Sequence, residues 1–573
     1  MENSQIADIF DEIADLIELQ EGNQFRIRSY RNAARTVRDL GQRIEDMVSN
    51  EEDLSELPNI GDSTAKKIHE IIETGTCERL EEMKQEVPEE LTKLMDIPGL
   101  GPRKAMQIYQ ELGVQSVAEL KQACEDEKVR ELDGFGARTE QNILEGIATV
   151  EKTSGRYLYQ AAAEQVDRLA EHLDGISELT RWEVAGSFRR CKETIGDLDI
   201  LVEAEDREAA TEAILHYSAI EKVASRGEEK VTVYLENGLQ IDFRFFEEES
   251  FGAAMMYFTG SKAHNIAVRQ RAVGRDWKLN EYGLMDADDT RLAGATEEEV
   301  YGKLEMAWVP PELREDRGEV EAAEEDSLPD LVEFDDIRGD LQAHTNETDG
   351  ANTIEEMARS AIDMGYQFLA ITDHSQAVSV ANGMDEERLK KHADAIREVN
   401  EGLDGFWLMA GVEVDILKDG NLDLAEEALE DLDWVLGSIH YHFNLGEEEM
   451  TERLLRAIRS GVVHGLAHPT VRVIGKREPI TYDFARIFEA CAENDVCVEI
   501  NAQPDRMDLP DIYCKQAREA GVTFTLGTDA HQQSNLNFMR LGVNIARRGW
   551  LEKGDILNTK TARQLQKWLE KRG

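Results

Sequence analysis

None of the six cysteines, Cys77, Cys124, Cys191, Cys491, Cys497 and Cys514, belongs to a CxxC pair, and they are scattered along the chain. That spacing excludes a disulfide-framed secreted scaffold and reads as reduced thiols, so a cytoplasmic location is expected. No run of about 18 apolar residues occurs, so no membrane span is expected. The start, MENSQIADIF, is acidic and amphipathic, which is not a signal peptide. Basic residues are scarce: 64 Lys and Arg stand against 118 Asp and Glu, for a net charge of -54. Such a balance suits either a protein that avoids nucleic acid or a solvated acidic surface adapted to high intracellular salt. The acids are spread through every segment, which favours the second view, that of a halophile-like acidic proteome. In that setting screening acts within a few ångströms, and the local arrangement of a site outweighs net charge. At 573 residues and 41% hydrophobic content, the chain has material for three to five domains with full cores.

The first 150 residues read as helical, with apolar residues at helical spacing in IADIFDEIADLIEL from Ile6. Within them a pattern repeats: LPNIGDSTAKKI from Leu57, IPGLGPRKAMQI from Ile97 and LDGFGARTEQNI from Leu132. Each is an apolar residue, a turn, a small residue and the start of a helix. A glycine-rich turn opening a helix leaves backbone N–H groups free to hold a phosphate without any lysine. The pattern resembles helix-hairpin-helix motifs, which grip the DNA backbone without reading sequence. Gly61, Gly99, Gly101, Gly134 and Gly136 are the expected DNA-binding glycines, with K+ or Na+ at the turns. Asn59 replaces the first glycine of the first copy and tolerates the same left-handed backbone. Further on, residues 312–337 hold twelve acids, two arginines and one proline, which reads as a solvated tether. Beyond it strand-like and helix-like segments alternate, as in an α/β barrel or layered fold.

WEVAGSFRRCKETIGDLDILVEA reads as strand, turn, strand. Residues i and i+2 of a strand face the same way, so Asp197 and Asp199 point together. A third carboxylate, Asp242 in LQIDFRFF, lies in another strand-like run. Three acids on neighbouring strands suit two Mg2+ ions, which would align a hydroxyl and a triphosphate for in-line displacement. The alternative is the polar face of a half-buried strand, which leaves the nearby Gly-Ser-x-Arg-Arg unexplained.

GSFRRCKETIGDLDILV resembles the nucleotidyltransferase signature of family X DNA polymerases, the polymerase beta-like enzymes. YFTGSKAHNIAVRQRA from Tyr257 and LNEYGL from Leu279 are further matches, and the resemblance covers about residues 1–310. It implies an 8-kDa-like helical domain at 1–85, a fingers-like domain at 86–150, a palm at 151–246 and a thumb at 247–311. It implies that Asp197 and Asp199 hold both metals and that Asp242 binds the catalytic one and helps to activate the primer hydroxyl. Ser187 and Arg190 would bind the triphosphate, with Gly186 and Gly196 allowing close approach. Tyr257, Phe258 and Gly260 would line the sugar pocket, Asn265 would touch the base and Arg269 would lie near the template. Lys262 stands where some relatives carry an acid. Some relatives also remove a 5′-deoxyribose phosphate through a lysine with a lowered pKa. Lys67 occupies the matching position, beside Tyr30 and Arg31, although Ser63 replaces an expected basic residue and a plain surface lysine is the alternative.

Eight of the twelve histidines follow the acidic segment. His344 and Asp349 come in GDLQAHTNETDG, His374 in ITDHS, Glu413 in AGVEVD, His440 and His442 in GSIHYHF, His468 in GLAHP, and Asp529 and His531 in LGTDAH. Most follow strand-like runs, and strand ends are where α/β barrels build their sites. Imidazoles mixed with carboxylates suit Mn2+ or Zn2+, up to three ions, acting on a phosphodiester. His392 reads as surface, and His442 and His464 as supporting or packing beside the site. Arg472, Lys476 and Arg477 are either DNA-phosphate contacts or a solvated loop. Residues 336–573 resemble the polymerase and histidinol phosphatase (PHP) domain, a distorted α/β (TIM-like) barrel with a trinuclear site. The first motif of that family reads His-x-His and here reads Gln342-x-His344, a weaker ligand.

The combination resembles the bacterial and archaeal PolX family. It implies a multidomain α+β and α/β protein that fills short gaps in base excision repair, trims 3′ ends as a 3′–5′ exonuclease and cuts at abasic sites. Its expected partners are gapped or nicked DNA and dNTPs, with no membrane, and it is expected to be a monomer. The rival readings are a PHP nuclease whose polymerase half only binds DNA, and a non-enzymatic scaffold.

Overall fold

A computed structural model describes residues 3–19, 23–38, 44–49, 53–57, 59–86, 94, 97, 100, 102–114, 116–153 and 155–572. The helix Asn3–Leu19 buries Ile6, Phe10, Ile13 and Ile17 at helical spacing against the helix Gln24–Arg38. The first glycine turn has Asn59 at φ 61°, and Gly61 caps the helix Asp62–Thr74. The third has Gly134 at φ 76° ahead of the helix Ala137–Thr153. Nothing lies within 4 Å of where a Cβ would sit on Gly61, Gly134 or Gly136, so the turns present open backbone. Gly99 and Gly101 lie outside the described residues.

Five strands form a mixed sheet in the order Arg181–Val184, Asp197–Glu203, Gln240–Phe245, Lys230–Leu235, Ile220–Arg226. Its central pair is parallel and the other pairs are antiparallel. Alternating burial along Asp197–Glu203 puts Leu198, Ile200 and Val202 in the core and the aspartates on the open face. The helices Glu248–Thr259 and Lys262–Val273 follow, with a small antiparallel sheet packed beside them.

The acidic segment at 312–335 is not a solvated tether. It is a strap laid between the two halves, with Leu313, Val320 and Ala323 buried. Its acids meet basic groups from both sides. Glu312 binds Arg547 at 2.8 Å, Glu315 binds Arg190 at 3.1 Å and Arg548 at 3.2 Å, and the fully buried Glu319 meets His264 at 2.7 Å. Composition alone could not reveal this, because the partners lie far away in sequence.

Seven parallel strands follow in sequential order: Gly339–Ala343, Phe368–Ile371, Trp407–Asp415, Trp434–Ser438, Gly465–Leu466, Cys497–Asn501 and Phe524–Gly527. All seven are buried almost throughout, as expected when helices cover the outside of a barrel. First and last strands meet through the Ala343–Ala530 bridge and through Asp340, which accepts from the Thr528 N–H at 3.1 Å. The result is a nearly closed α/β barrel with its loops gathered at the carboxyl ends of the strands.

Candidate functional sites

The parallel register sets Asp199 directly opposite Asp242, with Asp197 one step outward on the same face. Asp242 is buried, accepting from Thr232 Oγ1 at 2.7 Å and pairing with Lys230 at 2.7 Å. Arg244 bridges the pair, 3.1 Å from Asp199 and 3.3 Å from Asp242. Burial pushes the Asp199 carboxyl up. Arg244 opposes the shift, and the neighbouring Asp197 and Asp242 add to it. Carboxylates crowded this way need cations. Lys230 and Arg244 serve here, and the all-oxygen donor set fits hard divalent ions. Gly186, at φ 65°, comes so close that a Cβ would lie 3.2 Å from the Asp199 carboxylate. A side chain there would have to push the Asp199 carboxylate aside.

Gly186, Asp197 and Asp199 open on a cleft of about 810 Å³, while Asp242 is buried beside them. Gly186, Ser187, Arg190, Gly196, Asp197 and Asp199 line one side; Tyr257, Phe258, Gly260, Asn265 and Arg269 line the other. All nine residues expected to contact nucleotide therefore converge on one space. Sequence reasoning missed Arg156 and Lys192, which also line it. Arg156 is anchored by Thr194, 2.9 Å from its hydroxyl. Lys67, by contrast, binds Ser63 Oγ at 2.9 Å and lies 5.9 Å from the Tyr30 ring, while Arg31 is turned to Asp11 at 3.1 Å.

The second site lies at the carboxyl ends of the barrel strands. Three overlapping groups form: His344, Asp349, His374 and His531; His374, Glu413 and His440; and His344, Glu413 and Asp529. In each group the donor atoms lie within 4.8 Å of one another. Glu413 is the hub, 2.8 Å from His468, 3.4 Å from His344, 3.4 Å from His440 and 3.5 Å from His374. Nδ1 of His344, of His374 and of His468 are buried with no hydrogen-bond partner, and His344 Nε2 lies 3.1 Å from Asp529. Buried imidazole nitrogens left open toward carboxylates fit a cluster of transition-metal ions. Burial also holds the His374 imidazole down to about 4, neutral as a ligand must be.

Surrounding groups hold these ligands in place. Gln342 donates to Glu413 at 3.1 Å, and its carbonyl accepts from Asn501 at 3.4 Å. Asp415 faces His440 Nδ1 at 3.1 Å. Glu499, whose carboxyl burial pushes well above the usual range, accepts the His468 N–H at 2.7 Å. Sequence reasoning missed Asp415, Glu499 and Asn501: Asp415 ends its strand two residues after Glu413, and Glu499 is the one acid in the middle of Cys497–Asn501. His392, expected at the surface, is buried and lies 2.9 Å from Asp373. Its helix, Glu386–Glu401, turns Leu389, Ala393 and Ile396 inward with it. His442 is exposed. His464 stacks on Trp434 at 5.3 Å and accepts the Val435 N–H at 3.0 Å, packing on the barrel wall. Arg472 is buried, binding Arg506 O at 2.8 Å and Glu193 of the sheet domain at 2.9 Å, so it is neither a solvated loop residue nor a free phosphate contact.

Family models match the chain in order. They are a helix-hairpin-helix domain (1–77), a SAM-like helix-hairpin-helix tandem (88–149), a DNA polymerase beta palm (159–261), a DNA polymerase beta thumb (254–315) and a PHP domain (340–503). The chain is 37% identical over 574 residues, spanning 100% of both proteins, to the DNA polymerase/3′–5′ exonuclease PolX of Bacillus subtilis (strain 168). A probable phosphatase of Thermoanaerobacter sp. (strain X514) is 27% identical over 231 residues, 38% of this chain and 89% of that protein. One from Photobacterium profundum is 29% identical over 204 residues, 34% of this chain and 77% of that protein. Among the described residues no helix is long and apolar enough to cross a membrane.

Proposed function

The chain belongs to the PolX family of DNA polymerases with 3′–5′ exonuclease activity, and from that premise we propose that it fills short gaps in damaged DNA and trims the same 3′ ends at a separate site. The observation that carries this is the separation of two constellations: Asp197 and Asp199 on the cleft with Asp242 in register beside them, and seven imidazoles and carboxylates grouped on the barrel with His468 against Glu413.

In the cleft, Ser187 and Arg190 hold the triphosphate, and Gly186 and Gly196 let backbone approach it. Tyr257 and Phe258 pack the sugar, and Asn265, whose amide is fixed on the Tyr257 carbonyl at 2.7 Å, meets the base. Asp242, between Thr232 and Lys230, is oriented to take the primer hydroxyl proton once Lys230 withdraws. Two Mg2+ ions on Asp197, Asp199 and Asp242 would stabilise the charge of the in-line displacement. The glycine turns grip phosphates through backbone N–H groups, so DNA is held without a basic surface.

At the barrel, His344, Asp349, His374, Glu413, His440, His468, Asp529 and His531 would hold up to three Mn2+ or Zn2+ ions that supply hydroxide at neutral pH. Burial keeps the His374 imidazole neutral, Asp415 orients His440, and Glu499 holds the His468 backbone. Base excision repair is the context that suits both activities.

The test is a labelled primer on gapped DNA in molar KCl, with and without dNTPs. Asp197→Ala abolishes extension and keeps shortening; His344→Ala does the reverse. Extension surviving in Asp197→Ala overturns the palm assignment. Shortening alone, under every metal tried, makes the palm a DNA-delivery module.

A further inference from the structure

Arg190 is gripped from behind by the nuclease domain. It follows the single turn Gly186–Arg189, and its guanidinium donates to the Thr259 carbonyl and to Glu315 at 3.1 Å. Its own backbone carbonyl accepts from Arg548 Nη1 at 2.6 Å. Arg548 closes the helix Met539–Arg548, which belongs to the barrel domain and packs on its last two strands. The same Nη1 lies 3.2 Å from Glu315, and Nη2 lies 2.5 Å from Asp511. Arg548 is 3% exposed, with Arg190 at 14% and Glu315 at 15%. The strap carboxylate thus stands between two arginines, one from each half of the protein. Lys192 contributes positive charge nearby.

We propose that Arg548 of the nuclease domain is a positioning residue for the polymerase reaction, holding Glu315 so that Arg190 is free to exchange it for an incoming triphosphate. The proposal rests on the reading of Arg190 as a triphosphate contact. A triphosphate engages Arg190 only if Arg190 gives up Glu315. With Arg548 present, Glu315 keeps a bonded cation after that exchange. Without Arg548, the exchange strands a mostly buried carboxylate, and the binding step carries that penalty. The effect of Arg548 falls on nucleotide binding and leaves the displacement itself alone.

Single-nucleotide insertion into gapped DNA, measured against dNTP concentration in the full-length protein, tests this. Arg548→Ala raises KM for dNTP about tenfold with kcat within about twofold, the split expected when binding is weakened and chemistry is untouched. Arg548→Lys restores part of the loss, because an ammonium supplies the charge without the fork. Glu315→Gln removes the charge that would be stranded, so Arg548→Ala added to it no longer raises KM. Shortening of single-stranded DNA stays at the level of the unsubstituted protein throughout and reports that the barrel is folded. If Arg548→Ala fails that control, Arg548→Lys and Glu315→Gln carry the test: KM must rise in the first and not in the second. Arg190→Ala separates the two readings. An unmoved KM there overturns the triphosphate role of Arg190 and this proposal with it. A raised KM in Arg190→Ala beside an unmoved one in Arg548→Ala, or an equal rise with and without Glu315→Gln, overturns the positioning role alone.

Discussion

Substituting Gly527 by alanine is a probe of the nuclease centre that touches none of its ligands. Gly527 ends the last barrel strand, and a Cβ there would fall 2.0 Å from Glu499 Oε1 and 2.8 Å from the Gln342 Cβ. Glu499 is buried and tied by the His468 N–H at 2.7 Å and Asn501 Nδ2 at 3.3 Å. It cannot swing into solvent, so the methyl group must displace it by an ångström or more. Overpacking a close-fitted core costs about 1–3 kcal/mol. Loss of the buried bond to the His468 N–H adds about 1–3 kcal/mol. Gly527→Ala is therefore expected to destabilise the barrel by about 2–6 kcal/mol and to shift His468, lowering 3′-end shortening at least about tenfold, since misplaced ligand supports cost that much. Gap filling by the same preparation stays near normal. Adding Glu499→Ala vacates the space, so the double variant melts higher than the sum of the two single losses predicts. Equal melting temperatures and equal shortening for Gly527→Ala and the unsubstituted protein would refute this account of how the ligands are held.

Burial, with Arg572 nearby, holds the His464 imidazole down to about 3, while the unfolded chain binds its proton at about 6.5. Its stabilising contribution is present above pH ~6.5 and is lost as pH falls toward 3. That is about 2 kcal/mol at pH ~5, an upper bound because the ring is partly exposed. Denaturant melts of His464→Gln should lose correspondingly less between pH ~7.5 and ~5, and equal losses would exclude His464 as the cause. Asp415→Asn removes the carboxylate facing His440 and should raise the Mn2+ concentration needed for half-maximal shortening by about 10–100-fold without affecting gap filling; an unchanged metal titration would refute that orienting role. A net charge of -54 repels itself in dilute buffer, so the melting temperature should rise from millimolar to molar KCl. A melt indifferent to KCl would count against the reading of the acids as a salt-adapted surface.

Much of both sites was legible from local pattern. Asp197 and Asp199 share a face because strand side chains alternate, and no tertiary contact is needed to know it. Asn59 and Gly134 take the left-handed backbone that their turns demand, another local property. Most of the His, Asp and Glu motifs of the barrel follow an apolar run, and that alone places them at strand ends. What stayed hidden depends on partners distant in sequence. His392 read as a surface residue because its helix is rich in charge, yet the barrel it covers turns it onto Asp373. The acidic segment read as a tether because a count of acids cannot show that Arg547, Arg548 and Arg190 come to meet them. Glu499 and Gly527 look unrelated until the last two strands pair and leave room for one carboxylate and no methyl group. Local geometry is written in the order of residues, whereas burial and charge pairing exist only after the chain has closed on itself. So the sequence by itself determined the chemistry of each centre, and only the tertiary structure decided how the two halves hold one another.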